Sequence, residues 1–114
     1  MSALSVEGAL KRAIEELKIV HVVDRNGRRR IVEPHMLFQT GAGVRQIEAY
    51  QVAGESRTGR LPNWRHFPLD DIHTVFVSEE VFSPQPSFNP FNRRMFPHIE
   101  LRVPTAWELG VRSR

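Results

Sequence analysis

The spacing of apolar residues near the start of the chain predicts an amphipathic helix over residues 5–17. Leu10, Ile14 and Leu17 recur at intervals of four and three, which places them on one face of a helix. Ser5 suits the position before the first turn, because its hydroxyl can accept a hydrogen bond from a free backbone N–H there. The helix is therefore expected to bury one face against the residues that follow.

After the helix, the pattern changes to the alternation and β-branched enrichment that are typical of strands. Strands are predicted over residues 18–24 and 28–33. Asn26-Gly27 between them predicts a tight hairpin turn, since both residues tolerate a positive φ. Proline has no N–H to donate to a sheet, so Pro34 is expected to end the second strand.

Further short strands are predicted downstream, with turns rich in Gly, Pro and Asp between them. One helix followed by five or six such strands predicts a mainly β fold, either a small closed barrel or a strongly bent antiparallel sheet. Closure would hide the edge strands. The predicted strands cover residues 35–40, 44–52, 64–67 and 72–77, with turns at 41–43 and 70–71 and a loop over 53–63.

The last part of the chain, residues 83–114, contains five prolines, so long regular elements are not expected there. It is too apolar for a free linker, and we expect it to pack until about residue 103 on a domain formed by residues 1–82. A short helix is predicted over residues 105–112, and the last ten or so residues are expected to be mobile. The apolar side chains of this tail are Phe88, Phe91, Met95 and Phe96.

Composition narrows the classes of protein that the chain can belong to. It has no cysteine, which excludes a disulfide framework, a thiolate zinc site and a cysteine nucleophile. No apolar run approaches the ~20 residues that a membrane span needs. The first residues lack the pattern of a signal peptide. A cytoplasmic protein without membrane contact is therefore expected.

The sequence offers no pattern for catalysis, a metal or a cofactor. The five histidines lack the spacing of a metal site. The glycines form neither a phosphate-binding loop nor a dinucleotide fingerprint, and no Ser-His-Asp signature is present. We therefore expect no enzyme, no metal site and no cofactor.

Arginine supplies most of the positive charge, and two arginines are candidates for an anion site. The net charge is +3, from fourteen arginines and two lysines against thirteen acids. In the strand over residues 28–33, alternation sends Arg28 and Arg30 to one face and Arg29 to the other. If Arg30 and Arg65 meet at one hollow, they can hold a phosphate. The alternative is a solvated strand edge protected by charge.

Aromatic residues beside these arginines add a second candidate feature. Trp64 to Phe67 alternate aromatic and cationic groups, a mixture that can stack a base and neutralise its phosphate. Phe67 is expected in the core, whereas Trp64 is either a stacking platform or a lid on the core. Tyr50 and His35 are candidate pocket groups, with a buried core ring as the alternative for Tyr50.

Several short motifs follow one another in a distinctive order along about 70 of the 114 residues. They include Gly27, Arg30, Val32-Glu33-Pro34-His35, Leu37, Ala49-Tyr50-Gln51, Gly54, Ser56, Gly59, Trp64-Arg65, Phe67, Leu69-Asp70, Ile72 and Phe88-Asn89-Pro90. In this order they resemble a WYL domain, and specifically the short members that stand without a DNA-binding part. The chain departs from the family at Arg45-Gln46-Ile47, because the tripeptide that gives the family its name would fall there and is absent.

The resemblance implies an SH3-like or Sm-like β-barrel behind a helix. In bacterial transcription factors such a domain is thought to sense a ligand, often a nucleotide or nucleic acid, through a basic pocket. Arg30 and Arg65 match family bases, whereas Pro68 and Asp71 stand where arginines are often found.

The sequence thus predicts a non-enzymatic sensory domain that binds a nucleotide or single-stranded nucleic acid. The residues expected to bind the ligand are Arg30, His35, Tyr50, Trp64 and Arg65. The alternative is a protein–protein interaction or oligomerisation module without a small ligand. The reason for this alternative is the aromatic tail, which could cover a partner as well as the domain itself.

Overall fold

The computed structural model describes residues 5–56 and 59–110, which form one N-terminal helix and a six-stranded antiparallel sheet. The prediction of a mainly β fold with one helix is confirmed. The elements are α1 (Val6–Glu16), β1 (Lys18–Asp24), β2 (Arg29–Gln39), β3 (Arg45–Gly54), β4 (Asn63–Pro68), a 3-10 turn (Leu69–Asp71), β5 (Ile72–Val81) and β6 (His98–Arg102).

The helix begins and ends where its local chemistry favours it. The Ser5 hydroxyl accepts a hydrogen bond of 2.9 Å from the backbone N–H of Gly8, as the sequence predicts. Leu17 follows the last turn in a left-handed conformation, with φ of 57°. The N–H of Leu17 bonds to the carbonyl of Ala13, and the chain passes directly into β1. The buried face of α1 consists of Ala9, Leu10, Ala13 and Ile14.

The sheet is strongly bent and stays open, which decides between the two predicted architectures. Its strand order is β4-β3-β2-β1-β5, and among the described strands no ladder joins β4 to β5. The long strand β2 pairs with β3 along one edge. Along its other edge, residues 29–32 pair with β1 and residues 36–39 pair with β6.

The prediction that Pro34 ends a strand is wrong, because β2 continues through it to Gln39. The reason is a change of partner. The ladder with β1 stops at Val32 and the ladder with β6 begins at Met36, so Pro34 lies in the gap between them. The register with β3 also shifts between Pro34 and Met36. A bulge of this kind tolerates a residue that cannot donate a hydrogen bond.

The tail folds onto the sheet and contributes a strand, β6, that was not among the predicted elements. Phe88, Phe96 and Val103 are buried in the same core cluster as α1 and β2. The expected helix over 105–112 is not observed in its described part, where residues 106–110 form turns. Residues 111–114, for which mobility is expected, lie outside the described residues.

An ion-pair network ties the tail to the rest of the fold. The Arg45 guanidinium on β3 binds the Glu7 carboxylate of α1 at 2.8 Å and the Glu100 carboxylate of β6 at 2.7 Å. These contacts hold the helix, the sheet and the tail strand together at one point.

Within the described parts of the chain, no helix is long and apolar enough to cross a membrane.

Candidate functional site

A cavity of about 490 Å³ lies between β4 and the hairpin that joins β1 to β2. Four guanidinium groups and two carboxylates line it, which leaves a surplus of two positive charges when the histidine is neutral. Its lining consists of Val22, Asp24, Arg25, Asn26, Arg28, Arg30, Arg65, His66, Phe67, Pro68, Asp71 and Ile72.

Arg30 is held in a fixed orientation at the wall of this cavity. Its side chain is only 11% exposed. Nη1 donates a hydrogen bond of 3.2 Å to Oε1 of the buried Gln51, whose own amide nitrogen donates to two backbone carbonyls. The guanidinium lies over the ring of Phe67, 5.3 Å from its centroid. Because these contacts orient the group in advance, little conformational entropy would be lost if an anion bound there.

Arg65 reaches the same cavity from β4, which is separated from β2 by β3. It lies opposite Ala49 of β3, and its Nη2 donates a hydrogen bond of 2.5 Å to the Ser56 hydroxyl. The two arginines that the sequence singled out therefore line one hollow, which is the condition stated above for holding a phosphate together.

Asp24 supplies the negative charge that holds the arginines in place. Its Oδ1 accepts hydrogen bonds of 2.9 Å from the backbone N–H groups of Asn26 and Arg28. Its Oδ2 lies 3.7 Å from Arg30 Nη2 and 3.9 Å from Arg28 Nη1. Burial opposes ionisation, but these backbone hydrogen bonds and the two guanidinium charges outweigh it and lower the pKa of Asp24. Any anion that entered the cavity would have to compete with this carboxylate for the two guanidinium groups.

Two further arginines at the cavity were not among the predicted site residues. Arg28 lines the cavity together with Arg30, in agreement with the alternation along the strand. That alternation was the feature of the sequence from which Arg28 could have been predicted as a site residue. Arg25 lies in the hairpin turn. Its backbone N–H donates to the Asp71 carbonyl at 2.9 Å and its Nε donates to the Asp70 carbonyl. No local pattern indicates that role, because Asp70 and Asp71 are distant in sequence.

The other three predicted residues, His35, Tyr50 and Trp64, do not line the arginine cavity. They form an aromatic cluster in which the Trp64 ring lies 4.8 Å from His35 and 5.1 Å from Tyr50. Phe88 of the tail stacks on Trp64 at 6.0 Å. The indole Nε1 donates to the Ser87 hydroxyl at 3.0 Å. The cluster thus joins the sheet to the tail.

His35 is buried and serves as a hydrogen-bonding link between β2 and the tail. Its Nε2 accepts a hydrogen bond of 3.0 Å from the Gln85 backbone N–H, and its Nδ1 lies 2.8 Å from the Glu33 carbonyl oxygen. These contacts fit the neutral imidazole with its proton on Nδ1. Burial disfavours the charged form and lowers the pKa of His35 to about 4.

The stability of the protein is therefore expected to fall as the pH falls from 6.5 towards 4. In this window His35 takes up a proton in the unfolded chain, where its pKa has the ordinary value of 6.5. In the folded chain His35 is not protonated until the pH reaches about 4. The linked loss in the free energy of unfolding is about 3 kcal/mol at pH 4, and above pH 6.5 this group adds no pH dependence. Urea denaturation at a series of pH values measures it.

The variant His35→Gln provides the comparison for that measurement. It removes the titrating group, so its stability is expected to be lower than that of the parent at pH 7 but less dependent on pH between 6.5 and 4. Parallel loss of stability in the parent and the variant would show that another group is responsible.

No protein-family model matches this chain, and no curated protein matches it either. Among the described residues, no three His, Cys, Asp or Glu side chains are grouped as metal ligands.

Proposed function

We propose that this chain is a non-enzymatic, cytoplasmic, WYL-like ligand-binding domain that holds a nucleotide or single-stranded nucleic acid in the arginine-lined cavity. The observation that carries the proposal is the convergence of Arg30 and Arg65 on one hollow from two strands that do not pair with each other. The resemblance of the sequence to WYL domains, whose family bases these two arginines match, is a second support.

The chemistry of the cavity favours a phosphate over an uncharged ligand. Arginine presents several N–H donors in a planar fork that fits phosphate oxygens. The side chains of Arg28 and Arg30 are partly withdrawn from water, which strengthens their attraction for an anion. Asp24 limits this attraction, so a phosphate with additional contacts is expected to bind better than a small free anion.

The proposal is tested by titrating the protein with a fluorescein-labelled short oligothymidine and following fluorescence anisotropy at several salt concentrations. The parent is expected to bind in a salt-dependent manner. Arg28→Gln and Arg65→Gln are each expected to weaken binding by about 10- to 100-fold, because a hydrogen bond to a charged group contributes roughly 1.5–3 kcal/mol. Competition with unlabelled AMP then separates a nucleotide site from a strand-binding site.

Arg12→Gln is the matched control, because it removes one arginine charge from the exposed face of α1, away from the cavity. It is expected to bind as the parent does. Equal weakening by Arg12→Gln and Arg65→Gln would mean that general charge attraction, not the cavity, binds the oligonucleotide. Absence of any salt-dependent binding by the parent would refute the proposal. Arg30 is less suitable as a probe, because its contacts with Gln51 and Phe67 also support the fold.

A further inference from the structure

Asp71 adds to the arginine cavity a carboxylate that no side chain of the described residues binds. The other carboxylate there, Asp24, accepts hydrogen bonds from two backbone N–H groups and lies beside Arg28 and Arg30. Asp71 also lines the cavity, and it is exposed. Among the described residues its carboxylate forms no hydrogen bond and no ion pair, although four guanidinium groups line the same cavity. It is therefore available to accept a hydrogen bond from a ligand.

The backbone on both sides of this carboxylate is fixed. The Asp71 carbonyl accepts a hydrogen bond of 2.9 Å from the backbone N–H of Arg25. The next residue, Ile72, is only 3% exposed, and its N–H bonds to the Leu69 carbonyl. The cavity thus presents guanidinium donors and a carboxylate acceptor from a rigid frame, so a ligand that uses both does not have to order the backbone first.

A carboxylate in an anion site favours only ligands that bring a hydrogen-bond donor. An ionised carboxylate accepts hydrogen bonds and donates none, and it repels a phosphate that comes near it. The cavity volume of about 490 Å³ lies within the range of roughly 300–1,000 Å³ that small-molecule sites have, so it holds more than a phosphate. The ligand that fits both kinds of group is a phosphate joined to a part with hydroxyl donors.

We propose that Asp71 accepts a hydrogen bond from the 2′-hydroxyl of a ribose, so that the nucleotide site proposed above prefers ribonucleotides to deoxyribonucleotides. The sugar hydroxyls are the donors closest to the phosphate in a nucleotide. Within a strand the 3′-oxygen is bonded to phosphorus, so the 2′-hydroxyl is the sugar donor that remains. This hydroxyl is the group by which proteins distinguish RNA from DNA, and a carboxylate binds it in dinucleotide-binding folds.

Isothermal titration calorimetry of the parent with AMP, dAMP and 2′-O-methyl-AMP tests the ribose contact. AMP is expected to bind about tenfold more tightly than either analogue, because a hydrogen bond to a charged group is lost in both. The methyl ether keeps the 2′-oxygen but removes its proton, and all three ligands carry the same base and phosphate. Equal binding of the three overturns the ribose preference, whereas oligothymidine binding would still support the proposed function.

Asp71→Ala identifies the residue that recognises the ribose. The preference for AMP over dAMP is expected to fall from about tenfold to none, with dAMP bound at least as tightly as by the parent, because a repelling charge is lost. The control is Asp70→Ala, which removes the same charge from a neighbour that does not line the cavity and binds Arg25 through its backbone carbonyl. It is expected to keep the preference of the parent.

An unchanged preference in Asp71→Ala, with both nucleotides bound more tightly, would mean that Asp71 only repels anions, and it overturns the proposal. Equal loss of the preference in Asp70→Ala does the same. Circular dichroism confirms that each variant is folded, and the comparison of the three ligands on the parent does not depend on any variant.

A ribonucleotide unit can come from a free nucleotide or from an RNA strand. A trimer of adenylate and its deoxy counterpart separate these sources, and the ribose form is again expected to bind about tenfold more tightly. Tighter binding of the RNA trimer than of AMP identifies a strand, and the reverse order identifies a free nucleotide. If none of these ligands binds and oligothymidine does not bind either, both the proposed function and the ribose preference are overturned.

Discussion

Replacing Phe96 by alanine is expected to lower the free energy of unfolding by about 3–5 kcal/mol, the usual cost of removing a buried phenyl ring. Phe96 belongs to the tail, yet it is only 5% exposed. Its ring meets Phe38 of β2 edge to face at 4.8 Å and lies 6.0 Å from His66 of β4. Its loss would leave a cavity between the tail and the sheet. Urea denaturation at pH 7 measures the effect.

Phe91→Ala is the matched control, because Phe91 is 61% exposed in the same segment. It is expected to change stability by about 0.5 kcal/mol or less, which includes the loss of its contact with Arg102. Equal, small effects of both variants would show that the tail does not stabilise the domain. That result would favour the alternative in which the aromatic tail serves a protein partner, and the pair of variants therefore separates the two roles.

Replacing Gly54 by alanine is expected to lower the free energy of unfolding by about 2–5 kcal/mol, from backbone strain and overpacking together. Gly54 ends β3 with φ of +95°. An added Cβ would lie 2.5 Å from the carbonyl oxygen of Arg29 and 2.7 Å from Cα of Arg30. Both neighbours are backbone atoms of β2, so they cannot move aside without disturbing the strand that carries Arg30. Thermal and urea denaturation measure the effect.

Gly27→Ala separates the two causes. Gly27 also has a positive φ, +83°, but an added Cβ would meet no atom within 4 Å. Only the conformational cost of about 1–2 kcal/mol is then expected. If Gly27→Ala and Gly54→Ala lower the free energy of unfolding equally, the close contact between β3 and β2 adds no cost at position 54. Glycine would then be required there only for its positive φ.

The position of the cavity follows from the open sheet. β4 and β5 are consecutive in the chain, joined only by the 3-10 turn, yet the described strands show no ladder between them. The arginine cavity occupies this region, with Pro68, Asp71 and Ile72 at its border. A closed barrel would leave less room here, so the bend without closure gives Arg30 and Arg65 a shared hollow.

The local pattern of the sequence predicted the elements well where it repeats over several residues. The helix, its Ser5 cap and strand β1 occur where periodicity and β-branched enrichment place them. Such signals are local, because they depend on the spacing of side chains along one element. Pro34 shows the limit of this reasoning, since its effect depends on which strand lies beside it, and that is not a local property.

The sequence by itself determined the helix and the strands that lie before residue 82, and which face of the helix is apolar, because helix capping, turn preference and alternation act between residues close along the chain. It did not reveal β6, whose pairing with β2 depends on contact between distant segments. Only the tertiary structure decided which side chains meet. It brought Arg30 and Arg65 to one cavity with Arg25 and Arg28, and it placed His35, Tyr50 and Trp64 in a separate aromatic cluster under the tail. The physical reason is that strand partners, register shifts and sheet curvature arise from packing between distant segments, and these set the direction in which each side chain points.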